Sequence, residues 1–338
     1  MRIAVLSPIA WRTPPRAYGP WELVASHLTE GLVEAGHDVT LFATADSQTR
    51  AQLQAVAPAP YEEEKSLDPK VWECLHIANL MEQADRFDLI HNHFDFLPLS
   101  YSRLISTPMV TTIHGFSSPK ILPVYRRYND RVHYISISDA DRSPELDYLA
   151  TVYNGVDPEK FTFVPRASDY LLFLGRIHND KGTREAIRIA KAAGLPLVIA
   201  GIVQDRSYFN RYVKPAIDGT SIRYLGPAGP ELRDQLLGNA LALLHPINFD
   251  EPFGLTVVES MLTGTPVIAV RRGSMQELIL DGETGFLVED ARDAADAVLR
   301  LSREPDIIDR RRCRDWAMER FTVSRMVQGY LRAYEAVL

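Results

Sequence analysis

The chain has 338 residues, 46% hydrophobic and 24% charged, with a formal net charge of −7. That length can carry two domains, each with its own core, and the acidic balance argues against non-specific nucleic-acid binding. Two cysteines, Cys74 and Cys313, stand far apart without metal-type spacing, which excludes a disulfide framework and points to a reducing cytoplasm.

Ile3 to Ile9 predicts a buried strand, followed by a loop rich in proline and aromatics that holds Trp11, Tyr18 and Gly19. The start, Met1 to Leu6, runs too soon into Pro8 and Arg12 for a signal peptide. No apolar stretch reaches the roughly 18 residues of a membrane span. A helix is expected from about Trp21 to a stop at Gly36, then a strand over His37–Thr44. Strand, loop, helix, strand is the opening of a doubly wound parallel sheet, whose ligands bind beyond the carboxyl ends of the strands. Loop 10–20 is therefore expected on the ligand side.

Residues 45–70 are polar and read as a solvated connection. A helix around Val71–Ala84 leads to a strand ending in His91-Asn92-His93, and the strand Met109–Ile113 ends at His114-Gly115. Histidines at two parallel strand ends are expected to face one crevice. Lys120–Arg131 is a short basic amphipathic stretch, read as a solvated face or an anion cradle. Strands over Val132–Ser138 and Thr151–Tyr153 close the first half, and Pro158–Ser168 reads as a linker.

The second half restarts the rhythm, with strands expected at Tyr170–Leu174, Pro196–Ala200, Ile222–Leu225, Leu241–Leu244 and Pro266–Val270. Helices are expected at Thr183–Ala193, Ser207–Ile217, Pro230–Asn239, Leu255–Thr263 and finally Val323–Leu338. After the first of these strands comes Gly175-Arg176-Ile177-His178-Asn179-Asp180-Lys181-Gly182. Arg offers phosphate a planar fork and Lys a compact charge. After the fourth comes Asp250-Glu251-Pro252-Phe253-Gly254-Leu255-Thr256-Val257-Val258-Glu259. Free N–H groups of Leu255 and Thr256 open a helix, where anions are held, and Gly254 permits close backbone approach. Two carboxylates flanking a helix mouth suit a ligand with hydroxyls at both ends and phosphate between, the layout of a nucleoside diphosphate sugar. No Walker loop is present, and Gly-x-Gly-x-x-Gly is absent from the first βα turn, which disfavours an ATPase or NAD enzyme.

The run Glu251 to Glu259 resembles the Glu-x7-Glu motif of the retaining glycosyltransferases of family 4. Gly175-Arg176 with Lys181-Gly182, His114-Gly115 and Asn154-Gly155-Val156-Asp157 resemble further segments of that family, in order. Tyr18-Gly19-Pro20-Trp21-Glu22 keeps one glycine where the family often has a pair. The resemblance implies the GT-B fold: α/β, two Rossmann-like doubly wound parallel-sheet domains facing across a cleft. The domains would be 1–158 plus 322–338 on the acceptor side and 159–321 on the nucleotide-sugar side. It implies retaining transfer of a hexose from a nucleotide diphosphate sugar, UDP-linked by preference, to a small-molecule, glycan or lipid-linked hydroxyl.

Glu251, His114, Arg176 and Lys181 would then be catalytic. Gly19, Gly175, Leu225, Gly226, Phe253, Gly254, Leu255, Thr256 and Glu259 would bind the donor, with Glu259 on the ribose hydroxyls. Trp11, Tyr18 and His93 would lie toward the acceptor. No metal or other cofactor is expected, because the cations and the helix end supply positive charge, and His91-Asn92-His93 reads as polar strand-end lining. No stable membrane association is expected. A nucleotide-sugar 2-epimerase of the same fold and a non-catalytic sugar-nucleotide sensor are the alternatives.

Overall fold

The structure is a computed structural model and describes residues 1–116 and 119–338. Contacts divide the chain into two compact units: Met1–Gly155 with Val323–Leu338, and Val156–Thr322.

The first unit is built on a parallel seven-stranded sheet: β1 (Arg2–Leu6), β2 (Asp38–Phe42), β3 (Gln52–Gln54), β4 (Leu89–Asn92), β5 (Met109–Ile113), β6 (Val132–Ser136) and β7 (Tyr148–Thr151). Their spatial order is β3-β2-β1-β4-β5-β6-β7. The chain winds outward from β1 in one direction and then returns to add β4 on the other side. The switch point, where such sheets bind ligands, therefore lies between the ends of β1 and β4. The central strands carry apolar runs such as Ile3–Leu6 because both faces of the sheet are covered. On one face the helices Pro20–Glu34 and Val323–Glu335 pack through Val24, Leu28, Leu32, Met326, Val327, Tyr330 and Tyr334. The other face buries Leu6, Ile9, Ile77, Leu80, Ile90, Leu99 and Tyr125. The C-terminal helix also joins the sheet by polar contacts: the Tyr334 hydroxyl lies 2.5 Å from His91 Nδ1, and the Tyr330 hydroxyl lies 2.9 Å from Thr112 Oγ1.

The second unit has six parallel strands: β8 (Leu171–Leu174), β9 (Leu197–Ala200), β10 (Ile222–Tyr224), β11 (Ala242–His245), β12 (Val267–Val270) and β13 (Gly285–Val288). The order β10-β9-β8-β11-β12-β13 puts its switch point between β8 and β11. Helices Thr183–Ala193 and Ala291–Arg303 pack together, as do Leu255–Leu262 and Arg310–Arg320.

The polar connection 45–70 contains the short edge strand β3, which pairs with β2 through three residues. The last strand of the first sheet spans Tyr148–Thr151 and not 151–153. It meets β6 across a register shift at Tyr134/Ile135. Where a continuous helix over Ser207–Ile217 was expected, Arg206–Tyr208 is α-helical, Phe209–Val213 is a π turn and Lys214–Ala216 is 3₁₀. Pro215 has no N–H to carry an α-helical ladder through that point.

Candidate functional site

In the second unit the loops after β8 and β11, the two strands at the switch point, are tied together. Asn248 donates its backbone N–H to the Asp180 carbonyl at 2.7 Å and its side-chain amide to Asn179 O at 2.8 Å. The cationic loop 175–182 is thereby locked beside the segment 248–254 that opens the helix Leu255–Leu262.

Lys181 uses this placement. Its ammonium pairs with the Glu251 Oε2 and lies 4.7 Å from the centre of the Phe249 ring. Both side chains of the ion pair are mostly enclosed, at 15% and 12% exposure. His245, the last residue of β11, brings Nε2 to 3.5 Å from the same oxygen. At that separation the imidazole acts by electrostatics more than by a formed hydrogen bond. Burial pushes the Glu251 carboxyl up, but His245 and the Lys181 charge outweigh it and hold the group at about 2. The carboxylate is ionised, with Oε2 engaged and Oε1 without a partner among the described residues.

Gly254 caps the helix Leu255–Leu262 at φ 102, a left-handed conformation that a side chain disfavours. No side chain caps this end, and the N–H groups of Leu255 and Thr256 have no partner among the described residues. Both N–H groups thus open the helix unpaired among the described residues. Phe253 turns its ring into the core, 2% exposed and edge-on to Phe321, so the ring is withdrawn from any ligand. Glu259, inside the helix and 5% exposed, accepts from Arg233 Nε at 2.7 Å. Arg176 is half-buried and donates to the Gln204 side chain after β9. It therefore reaches along the strand ends toward β9, while Lys181 reaches toward Glu251. Gly175 follows β8 and Leu225 with Gly226 follows β10, so all three lie on the carboxyl edge of the sheet. Leu225 is 44% exposed there.

In the first unit, His114 at the end of β5 is 8% exposed, and burial holds its imidazole down at about 3. Trp21 stacks on it, with ring centres 5.5 Å apart and planes at 19°. His93 is fully enclosed, and its Nδ1 lies 2.9 Å from His114 Nε2. Expected toward an acceptor, His93 thus faces its fellow histidine. Trp11 and Tyr18, both half-buried, meet edge-on at 5.9 Å. Gly19 begins the helix Pro20–Glu34. The Trp11 N–H donates to Glu22 Oε1 at 3.1 Å, pinning the loop onto that helix. Burial pushes the Glu22 carboxyl up to about 7, against the pull of its backbone donors. Among the described residues no group of three His, Cys, Asp or Glu side chains is arranged to hold a metal ion.

Three residues of this site escaped the sequence reading. His245 sits at a ligand-side strand end directly before Pro246, a placement that strand-end logic can find. Arg233 lies on a predicted helix with nothing local to mark its pairing with Glu259. Gly273 follows β12, and a Cβ there would fall 2.4 Å from the backbone N and O of Glu251. The neighbouring Ser274 donates its N–H to Glu251 O at 3.0 Å and its hydroxyl to Phe253 O. The turn after β12 thus clamps the Glu251 backbone.

Residues 22–165 match the family model described as Glycosyltransferase Family 4, and residues 159–320 the one described as Glycosyl transferases group 1. The chain is 26% identical over 371 residues to the glycogen synthase of Mycobacterium tuberculosis, covering 92% of this chain and 88% of that one. Two solved structures share the fold. Sucrose-phosphate synthase from Thermosynechococcus elongatus aligns with TM-score 0.82 at 18% identity, covering 100% of this chain and 99% of that one. Anabaena HepE, solved with UDP and glucose, aligns at 0.77 and 20%, covering 99% and 100%.

Proposed function

The chain belongs to the family-4-like glycosyltransferases of the GT-B kind, and from that premise we propose that it transfers a hexose from a UDP-linked donor to a hydroxyl acceptor, with retention and without a metal. One observation carries the donor side: Lys181 is paired to the ionised Glu251 beside an uncapped helix mouth, at the switch point of the second unit.

In this reading the diphosphate lies at the N–H groups of Leu255 and Thr256, with Arg176 and Lys181 as counter-charges. The Lys181 ammonium has three donors, so it serves a phosphate oxygen while keeping Glu251. The bond between the anomeric carbon and the phosphate oxygen breaks, and the diphosphate gains negative charge beside the Lys181 ammonium and the N–H groups of Leu255 and Thr256. Preorganised donors of this kind are typically worth about 3 kcal/mol or more each. The free Oε1 of Glu251 binds donor-sugar hydroxyls and stabilises the positive charge developing at the anomeric carbon. The acceptor oxygen attacks on the face that the phosphate leaves, and its proton passes to the departing phosphate oxygen. Glu259, held by Arg233, accepts from the ribose hydroxyls, and Leu225-Gly226 lies by the base. His114 contacts the transferred sugar. Gly19, Trp11 and Tyr18 line the part of the first unit that meets sugar and acceptor. The UDP-bound HepE supports UDP as the nucleotide.

Incubation with UDP-, GDP- and TDP-sugars tests this. Slow release of hexose to water with retained anomeric configuration, from the UDP-sugars and in the presence of a chelator, is expected. Epimerisation at C2 would point to an epimerase instead, and tight binding without turnover to a sensor.

A further inference from the structure

We propose that His93 is a positioning residue that fixes the tautomer of His114, so that His114 turns a protonated Nδ1 toward the transferred sugar. The proposal rests on the reading of His114 as a sugar contact. The two histidines end adjacent parallel strands, and their rings lie 5.1 Å apart at 33°, with His93 Nδ1 and His114 Nε2 in hydrogen-bond contact at 2.9 Å. His93 has no exposed surface, and its Nε2 is buried without a partner. The nearest ring, His91 at 4.2 Å, cannot serve it, because both His91 nitrogens are taken by Tyr334 and Thr112. Trp21 stacked on His114 holds that ring in plane.

Burial keeps both imidazoles neutral, so each carries one proton and the contact holds one of the two. If His114 donated from Nε2, His93 would carry its own proton on Nε2. That N–H would be enclosed with no acceptor, the rarer and costlier kind of unpaired group. If His93 donates from Nδ1, only a bare lone pair is enclosed. The His114 proton then sits on Nδ1, which bonds to none of the described residues and stays free to donate to a sugar oxygen. Which nitrogen of a histidine is protonated follows from the bond made by the other.

Long-range proton–nitrogen NMR of the full chain labelled with ¹⁵N-histidine reads the tautomers directly, without substrate. The expected spectrum shows His114 with Nδ1 protonated and Nε2 bare. Protonation at His114 Nε2 overturns the proposal. His93→Asn keeps an amide donor near the Nδ1 position and is expected to retain both the His114 signature and turnover within about threefold. His93→Asp replaces the donor by an acceptor and is expected to draw the His114 proton to Nε2 and lower kcat by about 10- to 100-fold, with the donor KM within about twofold. Normal kcat in His93→Asp with the His114 proton on Nε2 would overturn the positioning role. Full turnover by His114→Ala, with the wild-type spectrum as expected, would remove the sugar contact while leaving the tautomer assignment intact.

Discussion

At the residue scale, the two glutamates of the run 251–259 are held in opposite ways, and their variants separate accordingly. Glu251 has one oxygen on Lys181 and the other free beside the helix mouth. Glu251→Gln is expected to cost about 100-fold or more in kcat and to leave UDP affinity within a few-fold. Glu259→Ala removes the carboxylate that Arg233 holds and is expected to weaken UDP binding about tenfold with a smaller effect on kcat. Steady-state kinetics beside calorimetric titration decides, and equal affinity losses with unchanged turnover would contradict the assignment. Glu22 supplies a pH test. Its folded value of about 7 lies above its ordinary 4.5, so the folded chain binds more protons and stability falls as pH rises from about 4.5 through 7. Glu22→Gln is expected to remove that loss, read as a smaller drop in melting temperature between pH 5 and pH 8. The placement of Arg176, Lys181 and Glu251 beyond the strand ends was legible because charge type and strand-end position both show in one dimension, and that of Glu259 because its spacing sets it inside the following helix. His245, Arg233 and the burial of His93 were not, since each depends on contacts between distant strands and helices.

At the element scale, the turn after β12 acts on the site without offering it a side chain. Gly273→Ala puts a methyl against the Glu251 backbone and is expected to lower kcat about 10- to 100-fold through misplacement of the carboxylate, with the far-ultraviolet circular dichroism of the wild type. Unchanged kcat would show that the clamp is dispensable. The regular elements were legible wherever punctuation was strong. Thr183–Ala193 lies between Gly182 and Gly194, and Pro230–Asn239 begins at a proline after Gly229; both helices occupy the expected residues. Elements without such signals were hidden. The three-residue strand Gln52–Gln54 is polar and exists through its pairing with β2, and the π turn Phe209–Val213 replaces a helix that periodicity alone had favoured.

At the scale of the whole molecule, the buried titratable groups are unevenly shared. His76, His91, His93 and His114 all lie enclosed in the first unit, and burial depresses each of them, to about 4 for His76 and about 3 for His91 and His114. An unfolded histidine titrates near 6.5, so the unfolded chain binds more protons and stability is lost as pH falls below about 6.5. Each of the four contributes up to about 1.4 kcal/mol per pH unit, opposed by Glu22, Glu73 and Asp95, whose carboxyls burial pushes up. Hydrogen exchange between pH 7 and pH 4.5 is therefore expected to show the first unit opening before the second; equal protection throughout would contradict this. The central claim concerns the second unit, where a cationic loop and a helix mouth at one switch point hold a nucleoside diphosphate. Calorimetric titration of UDP into the wild-type chain and into Lys181→Ala tests it most directly. Saturable binding by the wild type, weakened at least about tenfold in Lys181→Ala, is the predicted result, and equal affinity in the two proteins, or no saturable binding in either, would contradict it.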